Sequence, residues 1–322
     1  IHLYQDLFCA LLYVCEVLAG CVSAKKMVRV FKNINEVDNM LRSLKINISY
    51  KKTYLYILAY TSVVFVGICV LFVCLVTTKA FLICYAYRTQ HVLMEAVSYC
   101  LPFVANFLMQ TQYFQCLNIL KLSISHLLAL ERVATITEVI PKLPKPAEAS
   151  TLFTINHVTR IHMLLTSTSR LVNESFCFQH LLKICMSFIS TVTGLFLFAM
   201  VFAIKDSSKL DFDLLFFMWT VCNAFEVFVV VWISAGLCKE ANYCPIILHR
   251  IRNCNADDKV KSLIDLHSLQ MFHSKLTFSV CGLFPLDYSL LYSVVAGATT
   301  YLVILMQFNI DMVKTYNNGT MY

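Results

Sequence analysis

The sequence predicts an all-α fold: a polytopic membrane bundle of six spans with helical extensions into the cytoplasm. Hydrophobic residues make up 59% of its 322 positions and charged residues only 14%, whereas soluble domains carry about half and about a quarter. The charges lie in blocks between uncharged stretches of about 20 residues, the length that a helix needs to cross the hydrocarbon layer. These blocks also alternate between rich and poor in Lys and Arg, as the loops of a membrane protein do.

The spans are predicted from the stretches that lack charge. Their boundaries are about 7–22, 53–78, 96–120, 184–204, 214–238 and 288–310. Glu16 interrupts the first stretch and Glu226 the fifth, and the other four contain no charged residue. The polar segments between them leave no room for a separate soluble domain, so residues 1–322 are predicted to form a single transmembrane domain.

Lys and Arg predict the orientation. Their numbers in the six segments outside the spans, in chain order from residues 23–52 to residues 311–322, are 8, 2, 7, 2, 6 and 1. Basic residues concentrate on the cytoplasmic side of membrane proteins. The three basic segments are therefore predicted to be cytoplasmic and both ends of this chain to be outside. We expect a multi-pass plasma-membrane protein with an extracellular C-terminus.

Two of the cytoplasmic segments have apolar residues at three- and four-residue intervals, the period of an amphipathic helix. The first series is Val30, Ile34, Val37, Leu41 and Leu44, and the second is Leu263, Leu266, Leu269, Phe272 and Leu276. Both series predict extensions of the spans that pack together beneath the membrane. The first is basic, so binding to calmodulin or to a lipid surface is an alternative to packing within the chain.

Motifs of enzymes and cofactor sites are missing from the sequence. There is no Gly-rich phosphate loop, no His-Glu-x-x-His and no Ser-centred nucleophile elbow. Cys238, Cys244, Cys254 and His249 are too irregularly spaced to predict a zinc site. We therefore expect no catalysis, no metal and no cofactor. The formal charge of +7 is explained by basic cytoplasmic loops, and no nucleic-acid partner is predicted.

The last predicted span carries the most specific motif. It reads Thr300-Tyr301, five apolar residues, then Gln307-Phe308. This pattern resembles the signature in the last transmembrane helix of insect gustatory receptors, and all four defining positions match. Upstream, the stretch from Gly282 to Asp287 is similar to the Gly- and aromatic-rich approach to that helix. Residues 37–44 and 162–182 are similar to the regions after the family's second span and before its fifth.

Two departures from the family pattern are informative. The family has seven spans, with its N-terminus inside and its C-terminus outside, and this chain has one predicted span fewer, at its front. The simplest interpretation is that the first span and the N-terminal tail are missing. The sugar-receptor branch tends to carry Glu after the Tyr of the signature, where this chain has Leu302. The resemblance therefore favours a bitter-type or unassigned receptor.

The resemblance implies a ligand-gated, non-selective cation channel assembled as a homo- or hetero-tetramer, with the last helix lining the pore. Gln307 and Phe308 would form the gate. The residues allow this independently, because one helix face carries five candidate pore positions. These are Thr300, Ile304, Gln307, Phe308 and Asp311. Without the resemblance, a Gln that bonds to a neighbouring helix and a Phe that faces membrane lipid are the simpler explanation.

The outward halves of two spans offer a candidate pocket for a small-molecule tastant. It is predicted from Tyr99, Phe103 and Asn106 on one helix and from Phe216, Phe217, Trp219 and Glu226 on another. Aromatic walls with a few polar groups suit small organic ligands, although aromatic residues also anchor helices at membrane interfaces. Glu16 and Glu226 lie inside spans, where a carboxylate serves a pocket, an ion pathway or an interhelical hydrogen bond.

Two other classes of membrane protein remain as alternatives. A G-protein-coupled receptor also has seven spans but needs the opposite orientation, and a secondary transporter often shows internal repeats, which this sequence lacks. Of the three glycosylation sequons, at Asn47, Asn173 and Asn318, only Asn318 is predicted to be outside.

Overall fold

The computed structural model describes the backbone of residues 2–44, 46, 50–84, 89–139, 148–204, 210–252 and 258–319, with some side chains inside the helices excepted. Helices dominate these residues. They are α1 (His2–Ser43), α2 (Lys51–Cys84), α3 (Thr89–Val139), α4 (Glu148–Ile204), α5 (Leu210–Ala241), α6 (Cys244–Arg252), α7 (Asp258–His273) and α8 (Tyr288–Gly319). A two-stranded hairpin, β1 (Ser279–Val280) and β2 (Phe284–Pro285), precedes α8. The predicted all-α membrane fold is confirmed.

Several helices are much longer than a membrane is thick. The 57 residues of α4 make a rod of about 85 Å, whereas the hydrocarbon core is about 30 Å thick. The 51-residue α3 is nearly as long. Continuous helix is what the bilayer demands, because it satisfies every backbone polar group within the segment. The excess length forms the helical extensions that the sequence predicts.

Among the described residues, the fully buried side chains lie mainly in these extensions. Val30, Val37 and Leu41 of α1 are at most 1% exposed, which places the first predicted amphipathic face in the core and favours packing within the chain. On α3 the buried series starts in the predicted span, at Tyr113, Leu117 and Leu120, and continues into the extension at Ile124; on α4, Ile161 and Leu165 lie in the extension. The core therefore sits at the end of the bundle where the basic segments converge.

The second predicted amphipathic face is wrong at three of its five residues, whereas Leu263 packs against the core and Leu276, beyond α7, is 1% exposed. Leu266, Leu269 and Phe272 are 62%, 57% and 41% exposed, whereas Ile264 and Met271 are buried. The helix carries two apolar stripes of similar period, and α4 and α6 pack against the one that the periodicity argument passed over. The helix itself was correctly predicted.

Each predicted span lies within one long helix. In the described part of the chain, three helices are long and apolar enough to cross a membrane: Phe153–Ala199, Thr220–Arg250 and Tyr288–Phe308. A shorter apolar segment, Thr53–Gly67, lies in α2. The number of spans and their common single domain stay predictions.

Tyr50, the residue before α2, contacts α1 through a partly buried hydrogen bond. The Tyr50 hydroxyl donates a hydrogen bond of 2.5 Å to Oδ1 of Asp38. Burial, and then this hydrogen bond, raise the pKa of Tyr50 well above its ordinary value. The neutral phenol therefore stays the donor across the physiological pH range.

Candidate functional site

The last helix, α8, has one face covered by its own chain and one face left open. Leu290, Val294 and Ala298, at four-residue intervals, pack against the core or are nearly fully buried. In the most apolar stretch of α8 only 11% is buried, compared with 28% and 39% in the corresponding stretches of Phe153–Ala199 and Thr220–Arg250. The opposite side of α8 is available to lipid, water or another subunit.

The predicted pore residues occupy this open side. Thr300, Ile304, Gln307 and Phe308 are all exposed, Phe308 to 71%. Thr300, Ile304 and Gln307 lie roughly opposite Ala298 on the helix, because they stand two, six and nine residues after it and each residue turns the helix by about 100°. Phe308, ten residues after Ala298, lies about 80° from it, at the edge of the open side. Asp311 belongs to α8, but its side chain is outside the described residues.

Tyr301 of the signature differs from these four. Its ring makes an edge contact with Phe188 of α4, with ring centroids 5.8 Å apart. Phe188 also lies against Gly297, where an added Cβ would stand 3.2 Å from the ring. Tyr301 therefore contacts α4 while it stays 55% exposed, so it lies at the border between the α4 contact and the open face.

A tight turn leads into α8. Cys281 and Gly282 both have positive φ, 50° and 72°, and the Leu283 amide donates to the Val280 carbonyl at 2.9 Å. Two central residues with positive φ are typical of a type I′ hairpin turn, in which glycine is favoured. Asp287 then caps α8, because its carboxylate accepts a hydrogen bond from the Ser289 amide at 2.9 Å. This turn and cap explain the Gly and Asp of the motif that precedes the signature.

Three successive turns of α4 hold the segment 274–287, here called the linker. Arg170 donates to the carbonyls of Ser274 and Lys275 at 2.9 and 3.1 Å. One turn later, the Asn173 amide donates to the Ser279 carbonyl at 3.0 Å. Another turn along α4, the Cys177 thiol lies beside that of Cys281, and burial together with this neighbour raises the pKa of Cys281 to about 11. The position of the linker is therefore fixed by its contacts with α4.

A small cavity of about 20 Å³ lies among α2, α3 and α5. That space is enough for one water molecule. Its wall is mostly aromatic and aliphatic, and five of its ten lining side chains carry a polar group, the carboxyl of Glu226 among them. The main lining residues are Tyr60, Phe107, Gln110, Tyr113, Phe114 and Glu226.

An ion pair stands behind the cavity wall. Nζ of Lys183 on α4 lies 2.5 Å from Oε2 of Glu226 on α5, and the two side chains are 4% and 15% exposed. Lys183 also donates to Oδ1 of Asn223 at 2.8 Å. Lys183 is therefore buried inside the bundle, and the cytoplasmic position predicted for its segment stays a prediction. Without Lys183, the second of the three basic segments (121–183) still holds six basic residues, so the charge alternation is unchanged.

The structure brings together only part of the predicted pocket. Glu226 lines the cavity, and the buried Asn106 oxygen lies one turn before Gln110 on α3, without a hydrogen-bond partner in the described part of the chain. Phe217 of α5 stacks on Phe198 of α4, with centroids 4.3 Å apart. The side chains of Tyr99, Phe103, Phe216 and Trp219 are outside the described residues.

Three residues of the cavity and its ion pair were not predicted from the sequence: Tyr60, Gln110 and Lys183. A Gln in an otherwise uncharged span was one available signal, because an amide in hydrocarbon needs a partner. A Lys at the start of an apolar run, in a chain with two intramembrane Glu residues, was another.

Comparisons with known proteins point to one family. The profile of the 7tm chemosensory receptor family matches residues 1–312. Gustatory receptor 28a of Drosophila melanogaster is 30% identical over 176 residues, which are 52% of this chain and 39% of that receptor. Gustatory receptor for bitter taste 66a, also from Drosophila melanogaster, is 29% identical over 113 residues, 30% of this chain and 21% of that receptor. Each alignment thus spans less than half of the fly receptor.

The fold has a counterpart among solved structures. The olfactory receptor OR5 from Machilis hrabei, solved in complex with eugenol, aligns with a TM-score of 0.62 and 13% sequence identity. The alignment covers 91% of this chain and 79% of that receptor. At this identity the likeness shows the fold alone. The family match covers almost the whole sequence and describes receptors, not enzymes. The chain therefore belongs to the 7tm chemosensory receptor family, and the predicted resemblance to insect gustatory receptors is confirmed.

Proposed function

We propose that this protein is a gustatory receptor that is itself a ligand-gated, non-selective cation channel in the plasma membrane. Four subunits, identical or related, surround a pore lined by the open face of α8. Gln307 and Phe308 form the gate, and the C-terminus is extracellular. A small-molecule tastant acts from the outer side of the bundle.

The open face of α8 is the observation that carries this proposal. Thr300 and Gln307 are polar and exposed, although the 21 residues from Tyr288 to Phe308 are apolar enough to cross a membrane. A primary amide that faces lipid tails loses its hydrogen bonds at a cost of about 2 kcal/mol or more, whereas an amide in a pore is hydrated and can contact ions. Phe308 beside it supplies a bulky apolar ring that can close a pore by excluding water.

A ligand site near the cavity fits the same proposal. Phe103 stands two turns before Gln110 on α3, and Trp219 stands two turns before Glu226 on α5. Since both helices run inward here in the predicted orientation, the predicted pocket residues lie on the outer side of the cavity. The similarity to a receptor named for bitter taste and the presence of Leu302 favour a bitter-type ligand over a sugar.

The gate is tested by recording currents from the Gln307→Ala and Phe308→Ala variants. We expect both to change gating or ion preference while surface expression stays close to that of the unmodified chain. Leu302→Ala is the matched control, because Leu302 stands one turn after the buried Ala298 and should leave permeation unchanged. Normal currents, rectification and ion preference in both gate variants would refute this assignment.

A further inference from the structure

The charges behind the cavity do not balance. Among the described residues, the cation in contact with Glu226 is Lys183. The Glu16 carbonyl of α1 accepts a hydrogen bond of 3.3 Å from the Gln179 amide, one turn before Lys183 on α4, and the Glu16 carboxyl lies close enough to Lys183 and Glu226 to interact with both. Two carboxylates thus face one ammonium, so the group carries a formal charge of −1 when all three are ionised. A net charge inside a bundle is costly, and a proton or a second cation removes it.

The cavity offers a place for that second cation. Glu226 forms part of its wall, so its carboxylate borders the cavity as well as contacting Lys183. The Tyr60 hydroxyl also lies within electrostatic range of Glu226. Within the described residues, neither amide atom of Gln110 has a hydrogen-bond partner although both are buried. The unpartnered Gln110 amide and the carboxylate of Glu226, whose partner is Lys183, therefore line the same space.

The remaining wall suits the organic part of such a ligand. Tyr60 and Phe114 are stacked with centroids 4.3 Å apart, and Phe107 and Tyr113 complete an aromatic lining. Aromatic faces attract cations through their quadrupole and also pack against apolar frames. The space of about 20 Å³ accepts a group the size of water. A primary ammonium is closer to that size than a bulky quaternary ammonium is.

We propose that the cavity beside Glu226 binds the ammonium group of a primary amine ligand, which supplies the cation that the Glu16–Lys183–Glu226 group lacks. This inference rests on the proposed function, because it names the ligand class of a receptor. The ammonium donates to Glu226 and to the Gln110 carbonyl oxygen. The hydrocarbon part of the amine extends along the aromatic wall.

The test compares two probes that share one frame. The chain is purified into lipid nanodiscs, and binding of 2-phenylethylamine and 2-phenylethanol is measured by equilibrium dialysis. We expect the amine to bind about tenfold more tightly than the alcohol, the difference that a charge-assisted hydrogen bond supplies. The N,N,N-trimethyl derivative should bind more weakly than the primary amine because it exceeds the space.

The variants separate contact from charge balance. Glu226→Gln should remove the preference for the amine. Glu16→Gln should remove it as well, although Glu16 does not line the cavity, because it supplies the uncompensated negative charge. Glu174→Gln is the control, since that carboxylate pairs with Lys26 on the exterior of the chain. If Glu226→Gln does not fold, Lys183→Met/Glu226→Gln removes both partners of the buried pair and should also lose the preference.

Each possible result either supports or overturns the proposed amine site. Equal or tighter binding of the alcohol would overturn the amine assignment and leave the receptor proposal intact, as would an unchanged preference in Glu226→Gln or in the double variant. Failure of both probes to bind would overturn it too. The channel proposal stands or falls separately, on the currents of the gate variants.

Discussion

At the scale of single residues, the closest approach of two helices depends on a glycine. Gly194 of α4 is buried, and a Cβ placed there would lie 2.3 Å from Oγ1 and 2.9 Å from Cβ of Thr220 on α5. The Thr220 hydroxyl also donates to the Ser190 carbonyl at 3.3 Å, one turn before Gly194 on α4. The missing side chain at Gly194 thus lets α4 and α5 approach near the residues that hold Lys183 and Glu226.

We expect Gly194→Ala to destabilise the fold by about 1–3 kcal/mol, because a methyl group is forced into a packed contact. The measurement is thermal unfolding of the purified chain in detergent, followed by the loss of its monodisperse elution peak. Gly67→Ala is the matched control, since nothing lies within 4 Å of a Cβ there. It should be neutral or stabilise helix α2 by up to about 1 kcal/mol. Equal melting temperatures for the two variants would contradict the close approach.

At the scale of elements, α4 couples the bundle to the last helix. Arg170 and Asn173 bind the backbone of the linker, and Phe188, further along α4, contacts Tyr301 of α8. We therefore expect a movement of α4 to reach both the start and the middle of α8. Lys183 lies on α4 between these two contact regions, so the proposed ligand would act beside the proposed connection to the gate.

The attachment of the linker can be tested by proteolysis. Arg170→Gln should speed tryptic cleavage after Lys275 about fivefold, because the loss of its hydrogen bonds lowers the free energy of local opening by about 1 kcal/mol. Cleavage is followed by mass spectrometry on the protein in detergent. Arg160→Gln is the control, since Arg160 makes only an exposed contact of 3.6 Å with Glu36 at the surface. An unchanged rate in Arg170→Gln would show that these bonds do not hold the linker.

Asp311 gives a second prediction for α8. It follows Phe308 by about one turn and is predicted to lie at the outer mouth of the pore, where a tetramer would present four carboxylates. Rings of acidic residues concentrate cations, and salt screens them within about 10 Å at about 0.1 M. Asp311→Asn should therefore lower inward conductance chiefly at low ionic strength, with ligand sensitivity unchanged. Single-channel conductance that does not differ at low salt would leave Asp311 as a simple helix end.

At the scale of the whole molecule, the helices are arranged so that the core lies at one end. The deepest burial among the described residues involves α1, α3, α4, α5 and the short helices α6 and α7. The basic segments belong to this same end, which supports its placement in the cytoplasm. Asn173 lies there as well, and its amide is already bound to the linker.

Glycosylation reports on this orientation. We expect a glycan only at Asn318 when the protein is expressed in eukaryotic cells, because Asn47 and Asn173 are predicted to be cytoplasmic. Sequon knock-outs at each site, followed by the gel shift after glycosidase treatment, measure this. A glycan at Asn47 or Asn173 would reverse the predicted topology.

The sequence by itself determined the class of the protein, its helices and its family signature. Crossing a bilayer needs about 20 apolar residues in one continuous segment, so this information is local and can be read from the chain. The stretch from Gly282 to Asp287 was also recognised by its resemblance to the family, whereas its turn and its helix cap were seen only in the structure. The open face of α8 also follows a local rule, because residues that share a helix face are set by the helical period.

Only the tertiary structure decided which distant side chains meet. In the sequence, Lys183 is counted with the basic segment that precedes a span. The packing of α4 on α5 places it against Glu226 inside the bundle. The two apolar stripes of α7 are equivalent in the sequence, and contact with α4 and α6 selects one of them. Such choices depend on the packing of all the helices at once, because burial is a property of surfaces contributed by separate segments and not of any one segment.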